Sequence, residues 1–368
     1  MKTDIKYGAR NKPEFISELR DRVSTYFKDN NKSKYGGTSL ALKSIFMLTL
    51  YLAPYLLMMT GVIQSFWGVL ACWILIGLGK AGVGMGIMHD AIHRSYSKNQ
   101  TVNKIMGSSL YLLGGFPANW QYQHNTLHHG FTNIEGHDED IDPGAYLRLS
   151  PHKPLFRIHR FQFIYAWFLY GLMTLMWVTT KDFKQLVRYR NEKGALSGNK
   201  SFGKLLALLI FSKVVYYSAF LLVPMLLLPF AWYWILFFFL VMHLTSGFVL
   251  TVIFQTAHVV TETDFPLPDG EGRMENSWAV HQLHTTANFA PGNKILSWLM
   301  GGLNHQVEHH LFPNISHVHY GKIAVLVKET AAKYNLPYHV QPSFLRALAS
   351  HAKMLWHLGR NIRHPAFA

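Results

Sequence analysis

The sequence predicts an all-α integral membrane fold: four transmembrane helices in two hairpins plus interfacial helices, capped by a cytoplasmic helical domain that carries clustered histidines. Three observations predict it. Of 368 residues, 49% are hydrophobic and only 15% charged, a balance suited to a chain partly dissolved in lipid. No acidic or basic residue occurs from Ile45 to Gly79 or from Val214 to Thr261, and each stretch is long enough for two spans of roughly 17 to 25 residues. Histidines number 21 against 20 Asp plus Glu, and they recur at helical spacing outside those stretches.

Taken in order, residues 1–40 form a cytoplasmic N-terminal segment without a cleavable signal pattern. Spans are expected at about 43–61 and 63–83, separated by a break at Thr60-Gly61, and at about 205–228 and 231–256, separated at Pro229. Residues 257–368 form the cap and C-terminal segment, completing a single domain. A third uncharged stretch, Phe161 to Thr180, also reaches spanning length. If it crossed, the histidine clusters before and after it would fall on opposite sides, so 161–180 is read as interfacial or re-entrant. Lys213, inside the third span, is expected to snorkel or line a cavity, and His243 to be a buried polar contact or a tunnel-lining group.

The turns around Gly61 to Phe66 and Leu228 to Trp232 lack Lys and Arg, whereas Lys2 to Lys43, Arg94 to Arg160, Lys181 to Lys200 and the region after Lys322 are basic. The positive-inside rule therefore puts the termini and the long loops in the cytoplasm, with a bacterial inner membrane or the endoplasmic reticulum as host. The net charge of +15 suits lipid headgroups or an acidic protein partner rather than nucleic acid. Cys72 is the single cysteine, which excludes disulfides and thiolate metal sites.

The histidines form three boxes. His89-Asp-Ala-Ile-His93 puts two imidazoles one turn apart on one helical face. His124-Asn-Thr-Leu-His128-His129 repeats this, and the adjacent His129 points roughly 100° away on an α-helix, toward a different ion. Asn304-His305-Gln306-Val307-Glu308-His309-His310 repeats the pattern after the fourth span. One such pair is more often a surface or core feature, but three outside the spans, two ending in His-His, point to two metals. Ligand softness alone admits Zn, Cu, Ni or Fe, while seven histidines exceed one tetrahedral zinc's needs. Asp90 stands where the zinc-protease motif requires Glu.

The order of "HDAIH", "HNTLHH" and "NHQVEHHLFP" around two apolar hairpins resembles the membrane fatty acid desaturase superfamily, most closely its front-end or acyl-lipid branch, from about Lys43 to Tyr338. The resemblance implies that His89, His93, His124, His128, His129, His309 and His310 bind two irons. In that branch the third box often opens with Gln, here Gln306, and His305 beside it competes for the role. A further ligand is expected from His281 in "WAVHQLHTTANF" or His258 in "FQTAHVV", with His281 preferred and His284 behind both. Asp90, Asn125, Glu308 and Asp138 are candidates to receive the second N–H of the ligands. The acidic run from His137 to Pro143 reads first as a solvated loop, with ordering of the second box as the alternative. His137, His152, His159, His317, His319, His339, His351, His357 and His364 read as solvated or interfacial.

The resemblance implies an O₂-dependent desaturase that introduces a cis double bond into an acyl chain carried on a lipid or on CoA. Phe116, Trp120 and Phe131 are candidates to shape its tunnel, with ordinary packing as the bland reading. No flavin or haem motif and no His-Pro-Gly-Gly signature of a fused cytochrome b5 occurs, so a separate ferredoxin, or cytochrome b5 with its reductase, is expected to supply electrons. A basic surface including Arg346, Lys353 and Arg360 is the expected dock. The rival within the same chemistry is a di-iron hydroxylase of alkyl, carotenoid or sphingoid chains. From another class, a histidine-rich metal transporter needs ionisable groups in its spans, where only Lys213 and His243 are expected.

Overall fold

The computed structural model describes residues 5–8, 12–192 and 201–362, so the expectations for Lys2, Lys200 and His364 lie outside the described residues. Strand β1 (Lys6–Tyr7) leads to α1 (Pro13–Asp29), whose first position is taken by proline. The apolar helices α2 (Gly37–Met59) and α3 (Phe66–Ile92) follow, the second capped by the Ser65 hydroxyl, which accepts from Gly68 N. After α4 (Gln100–Gly107), α5 (Pro117–Gln121) runs on through a π-helical turn at Tyr122–His128. Next come α6 (Arg157–Gly171) and α7 (Met173–Tyr189), bent by 55° at their junction, then α8 (Phe202–Leu227) and α9 (Trp232–His258). The remainder is β2 (Arg273–Met274), α10 (Trp278–Thr285), β3 (Ala287–Phe289), α11 (Lys294–Leu299), α12 (Gln306–Leu311), α13 (Tyr320–Lys333), β4 (His339–Gln341) and α14 (Phe344–Leu358).

Four of these helices, α2, α3, α8 and α9, are long and apolar enough to cross a membrane. At 1.5 Å per residue each exceeds the ~30 Å hydrocarbon thickness. The α2–α3 turn is made by Gly61 at φ 79°, a conformation that costs only glycine little. The second span extends beyond 83 because a π-helical turn, Gly84–Met88, carries the helix through to Ile92. His89 therefore lies on the spanning helix itself rather than after it.

The chain divides into two compact units. In the unit of residues Thr38–Tyr122 and Trp167–Val252, glycines set the helix spacing. A Cβ on Gly79 would lie 2.6 Å from Tyr51 N, and one on Gly77 would lie 2.8 Å from Met242 O, so the backbones approach where side chains are absent. Lys213 does not snorkel: it is buried, donating to Gly114 O at 2.6 Å and Trp177 O at 3.0 Å and pairing with Asp182 at 2.5 Å. A counter-ion from the uncharged stretch's far end replaces water. His243 is a buried polar contact, and the expectation that only Lys213 and His243 are ionisable within the spans is corrected by Lys80, buried in α3 with its Nζ 2.9 Å from the Tyr216 hydroxyl and 3.3 Å from His243 Nδ1.

The other unit comprises Met1–Gly37, Gln123–Ala166 and Ile253–Ala368. Phe15, Leu19 and Val23 of α1 recur at intervals of four and bury against Val280 and Leu283 of α10, Val307 and Leu311 of α12, and Ile323 and Val327 of α13. Burying each such side chain contributes about 1.5–3 kcal/mol. The parallel pairing of β3 with β4 sets Asn288 opposite Val340. From there Asn288 Oδ1 accepts from Val307 N at 2.9 Å and Nδ2 donates to Glu308 at 2.8 Å. A residue outside α12 thus caps its first turn and fixes its direction.

Candidate metal centre

The second histidine box departs from the α-helical geometry expected of its spacing. Because Tyr122–His128 winds as a π-turn, with bonds from i to i+5, His129 returns beneath His124 instead of pointing away. Their Nε2 atoms are 3.3 Å apart, and the His124 and His128 rings stack at 5.3 Å. The third box meets this cluster: His309 stacks on His124 at 5.8 Å and His310 on His129 at 4.4 Å. His258, at the end of α9, stands edge-on to His128 and His310, both at 4.7 Å. All six imidazoles are buried.

Within this cluster the Nδ1 sides of His128, His258, His309 and His310 are tied down. His128 Nδ1 donates to Asp138 at 3.1 Å, with an Asp140 oxygen 3.4 Å away. His258 Nδ1 donates to Thr285 O at 3.2 Å, His309 Nδ1 lies 3.1 Å from the Tyr320 hydroxyl, and His310 Nδ1 donates to Gln282 Oε1 at 2.8 Å. Nδ1–H donation fixes the tautomer that leaves Nε2 with its lone pair. Nε2 of His128 and of His258 are both buried and meet no hydrogen-bond partner, a cost tolerated where a ligand is to be met. The ligand nitrogens of His128, His258 and His310 lie within 4.8 Å of one another, and those of His124 and His128 do so with an Asp140 oxygen. This donor set, imidazole nitrogens oriented by outer hydrogen bonds, fits a transition-metal ion.

Electrostatics favour a cation here. Burial alone would lower the His128 pKa, but Asp138 and Asp140 outweigh it and push it up to about 9. Burial opposes ionisation of Asp138 as well, yet His128 and the amides of Asn133 and Asp140 hold it below the usual carboxylate range. The acidic run is thus no mere solvated loop: two of its carboxylates anchor a histidine of the second box.

The remaining expected residues are distributed as follows. His281 is buried, which lowers its pKa to about 4, and its Nε2–H donates to Thr132 O at 2.8 Å. That nitrogen is already engaged, unlike that of His258. His284 is half-exposed and pairs with Asp264 at 2.9 Å. Gln306 lies in the cluster within reach of His258, while His305 faces Glu308 at 3.6 Å. Glu308 therefore touches His305, Asn288 and Tyr338. Asn125 is half-buried on the π-turn. In the other unit, His89 and His93 are buried with ring centroids 4.8 Å apart, flanked by Trp120 at 5.9 and 6.5 Å, with Asp90 buried 4.0 Å from His89. Phe116 packs among Leu186, Leu205 and Leu209, and Phe131 lies against His137.

His159, His317 and His351 are buried rather than solvated. His159 Nε2 meets Ala145 O and His351 Nδ1 meets Val259 O, so they cross-link backbone carbonyls. Sequence reasoning missed Gln282, Thr285 and Tyr320. Gln282 adjoins a flagged histidine, but a glutamine carries no spacing signal of its own. The indole of Trp278, also missed, donates to His129 O at 2.9 Å.

Helices fit to cross a membrane, together with buried histidines gathered closely enough to hold a metal ion, are the features of a helical membrane metalloprotein. Comparison with known proteins gives the family. Residues 65–342 match the family model described as fatty acid desaturase. The chain is 35% identical over 351 residues to the sn-1 linoleoyl-lipid 6-desaturase of Synechocystis sp., covering 94% of this chain and 96% of that one. It is 32% identical to the protein of the same name from Arthrospira platensis, covering 93% and 91%. It is 33% identical to the acyl-lipid (8-3)-desaturase of Physcomitrium patens, covering 97% and 74%. The chain belongs to the fatty acid desaturase family, and it is an oxidoreductase that desaturates fatty acyl chains.

Proposed function

We propose that this protein is an O₂-dependent di-iron desaturase that places a cis double bond in an acyl chain carried on a membrane glycerolipid. The observation that carries the reading is the cluster of His124, His128, His129, His258, His309 and His310, with Nδ1 of His128, His258, His309 and His310 anchored and Nε2 of His128 and His258 left for metal. His89 and His93 complete the ligand set, on the strength of their box. Gln306 supports His258, and His281 serves as an outer hydrogen-bonding group, the reverse of the order expected from sequence. The glycerolipid carrier is supported by the names of the relatives, which act on linoleoyl-lipid or acyl-lipid substrates.

The bound irons would supply the oxidising power that removes two hydrogens from neighbouring carbons, beyond the reach of side-chain acid–base chemistry. The chain's own residues do the positioning. Asp138, Gln282, Thr285 and Tyr320 hold the imidazoles in register, and burial of the cluster keeps bulk water from it. Two electrons per turnover come from a separate acidic redox protein, a ferredoxin or cytochrome b5. The basic flanks of the spans support a multi-pass reading with the termini and the metal centre on the cytoplasmic side.

The test is expression in a host of known lipid composition. The expected result is a new double bond located by mass spectrometry in glycerolipid acyl chains, with two irons per chain in the purified protein. An alcohol in place of the alkene would favour the hydroxylase reading. Loosely held zinc without either product would reject both.

A further inference from the structure

At the start of α6, Arg157 and Arg160 are exposed, and Arg360 lies just beyond the end of α14. The two segments are fastened together within one unit. Gln162 Nε2 donates to Leu355 O at 3.0 Å, Arg148 donates to Leu358 O and to Asn361, and the Phe163 and Trp356 rings meet at 4.8 Å. Gly359 lies against the His159 carbonyl so closely that no Cβ fits. On this junction the Arg360 guanidinium rests 3.1 Å above the Trp356 ring and 5.2 Å from Phe163. Its Nη1 is shielded from solvent and finds no acceptor among the described residues. Partial burial, and then the nearby charge of Arg160, lower its proton affinity. None of the three arginines has a carboxylate partner among the described residues.

A buried donor left unanswered is costly, and an anion beside this group of like charges would answer it with a charge-assisted hydrogen bond. The surroundings say where the anion resides. Phe156, Ile158, Phe161 and Ile164 are 49, 52, 56 and 62% exposed, and Trp356 is 39% exposed. The same helix continues into the bent pair that is apolar enough for a membrane. Exposed aromatics and aliphatics at one end of an apolar helix, rimmed by arginine, are the composition of a headgroup boundary.

We propose that Arg160 and Arg360, assisted by Arg157, hold the phosphate of an anionic glycerophospholipid of the surrounding leaflet, with Trp356 and Phe163 forming the floor of the site. Arg360 is thereby assigned to lipid rather than to the redox partner expected from sequence. Arg346 and Lys353, exposed on the same α14, remain free of this assignment.

The full-length protein is to be placed in nanodiscs of phosphatidylcholine containing a minor fraction of phosphatidylglycerol, and the lipid retained after delipidating washes quantified by mass spectrometry. Phosphatidylglycerol is expected to be enriched over the bulk composition. Arg160→Gln with Arg360→Gln should reduce that retention roughly ten- to thirty-fold, given the attraction of anionic lipid for each juxtamembrane arginine. Arg346→Gln with Lys353→Gln should leave it unchanged. Should the Arg160/Arg360 variant fold, as judged by its elution and melting, yet retain as much phosphatidylglycerol as the parent, the proposal is overturned. If it instead raises only the KM for an acidic electron donor, the face is a protein dock and the lipid site is rejected. Lipid retention is read without turnover, so the result is independent of whether the protein holds iron.

Discussion

His258 and His281 differ in which nitrogen the fold has already engaged, and that difference makes a direct prediction. His258→Ala removes an unanswered Nε2 beside His128 and His310 and should lower bound iron and abolish desaturation. His281→Ala should retain metal while destabilising the fold by about 1–3 kcal/mol, because it leaves the Thr132 carbonyl unmet. Iron content and melting temperature together separate the two roles. Asp138→Asn should weaken metal binding roughly 10–100-fold, as loss of an orienting carboxylate does. His351 gives the acid dependence. Burial lowers its pKa from 6.5 to about 4, so the folded state prefers it neutral. Its contribution is fully present above pH 6.5, is lost as the pH falls toward 4, and amounts to about 3 kcal/mol. His351→Gln, which keeps a donor for Val259 O, should flatten the acid limb of stability relative to the parent in thermal melts between pH 4 and 7.

At the scale of elements, the π-turns carry the information that spacing hides. In "HNTLHH" both an i,i+4 and an i,i+5 pair are spelled out, and only the winding of the backbone decides which pair converges. The sequence favours the α reading because α-helix is the default. The fold chooses the π-turn because His129 must meet His124 and His310. Another π-turn, Trp177–Lys181, loosens the carbonyl of Trp177, and Lys213 on α8 answers it while pairing with Asp182. The box positions were therefore legible, but the anchoring groups were not. Gln282, Thr285 and Tyr320 become partners only through tertiary contacts between distant segments. For the buried pair, Asp182→Asn should destabilise by about 3–5 kcal/mol by stranding an ammonium, whereas Asp182→Leu with Lys213→Met should recover most of the loss. Detergent melting of the single and double variants measures this.

At the scale of the whole chain, the apolar lengths and the breaks at Gly61 and Pro229 made four spanning helices readable, because the bilayer imposes a minimum length that composition must meet. The fifth apolar stretch was assigned only by parity, and the bent pair α6–α7 is compatible with a broken span as well as with the re-entrant course expected from sequence. Each half of the bent pair α6–α7 is only about 25 Å long at 1.5 Å per residue, and the bend is 55°. At the break the Thr174 hydroxyl meets His243 Nδ1 at 3.0 Å and Ser246 Oγ at 2.9 Å, satisfying polar groups that lipid cannot. A re-entrant pair returns to the side it left. In a Cys72→Ser background, single cysteines at Gly144 and Asn191, both exposed, should label with a membrane-impermeant maleimide from the cytoplasmic face alone. A cysteine at Val62, in the α2–α3 turn and 70% exposed, should label from the opposite face. Labelling of Gly144 and Asn191 from opposite faces would make α6–α7 a fifth span, and the second and third histidine boxes could not then serve one metal centre.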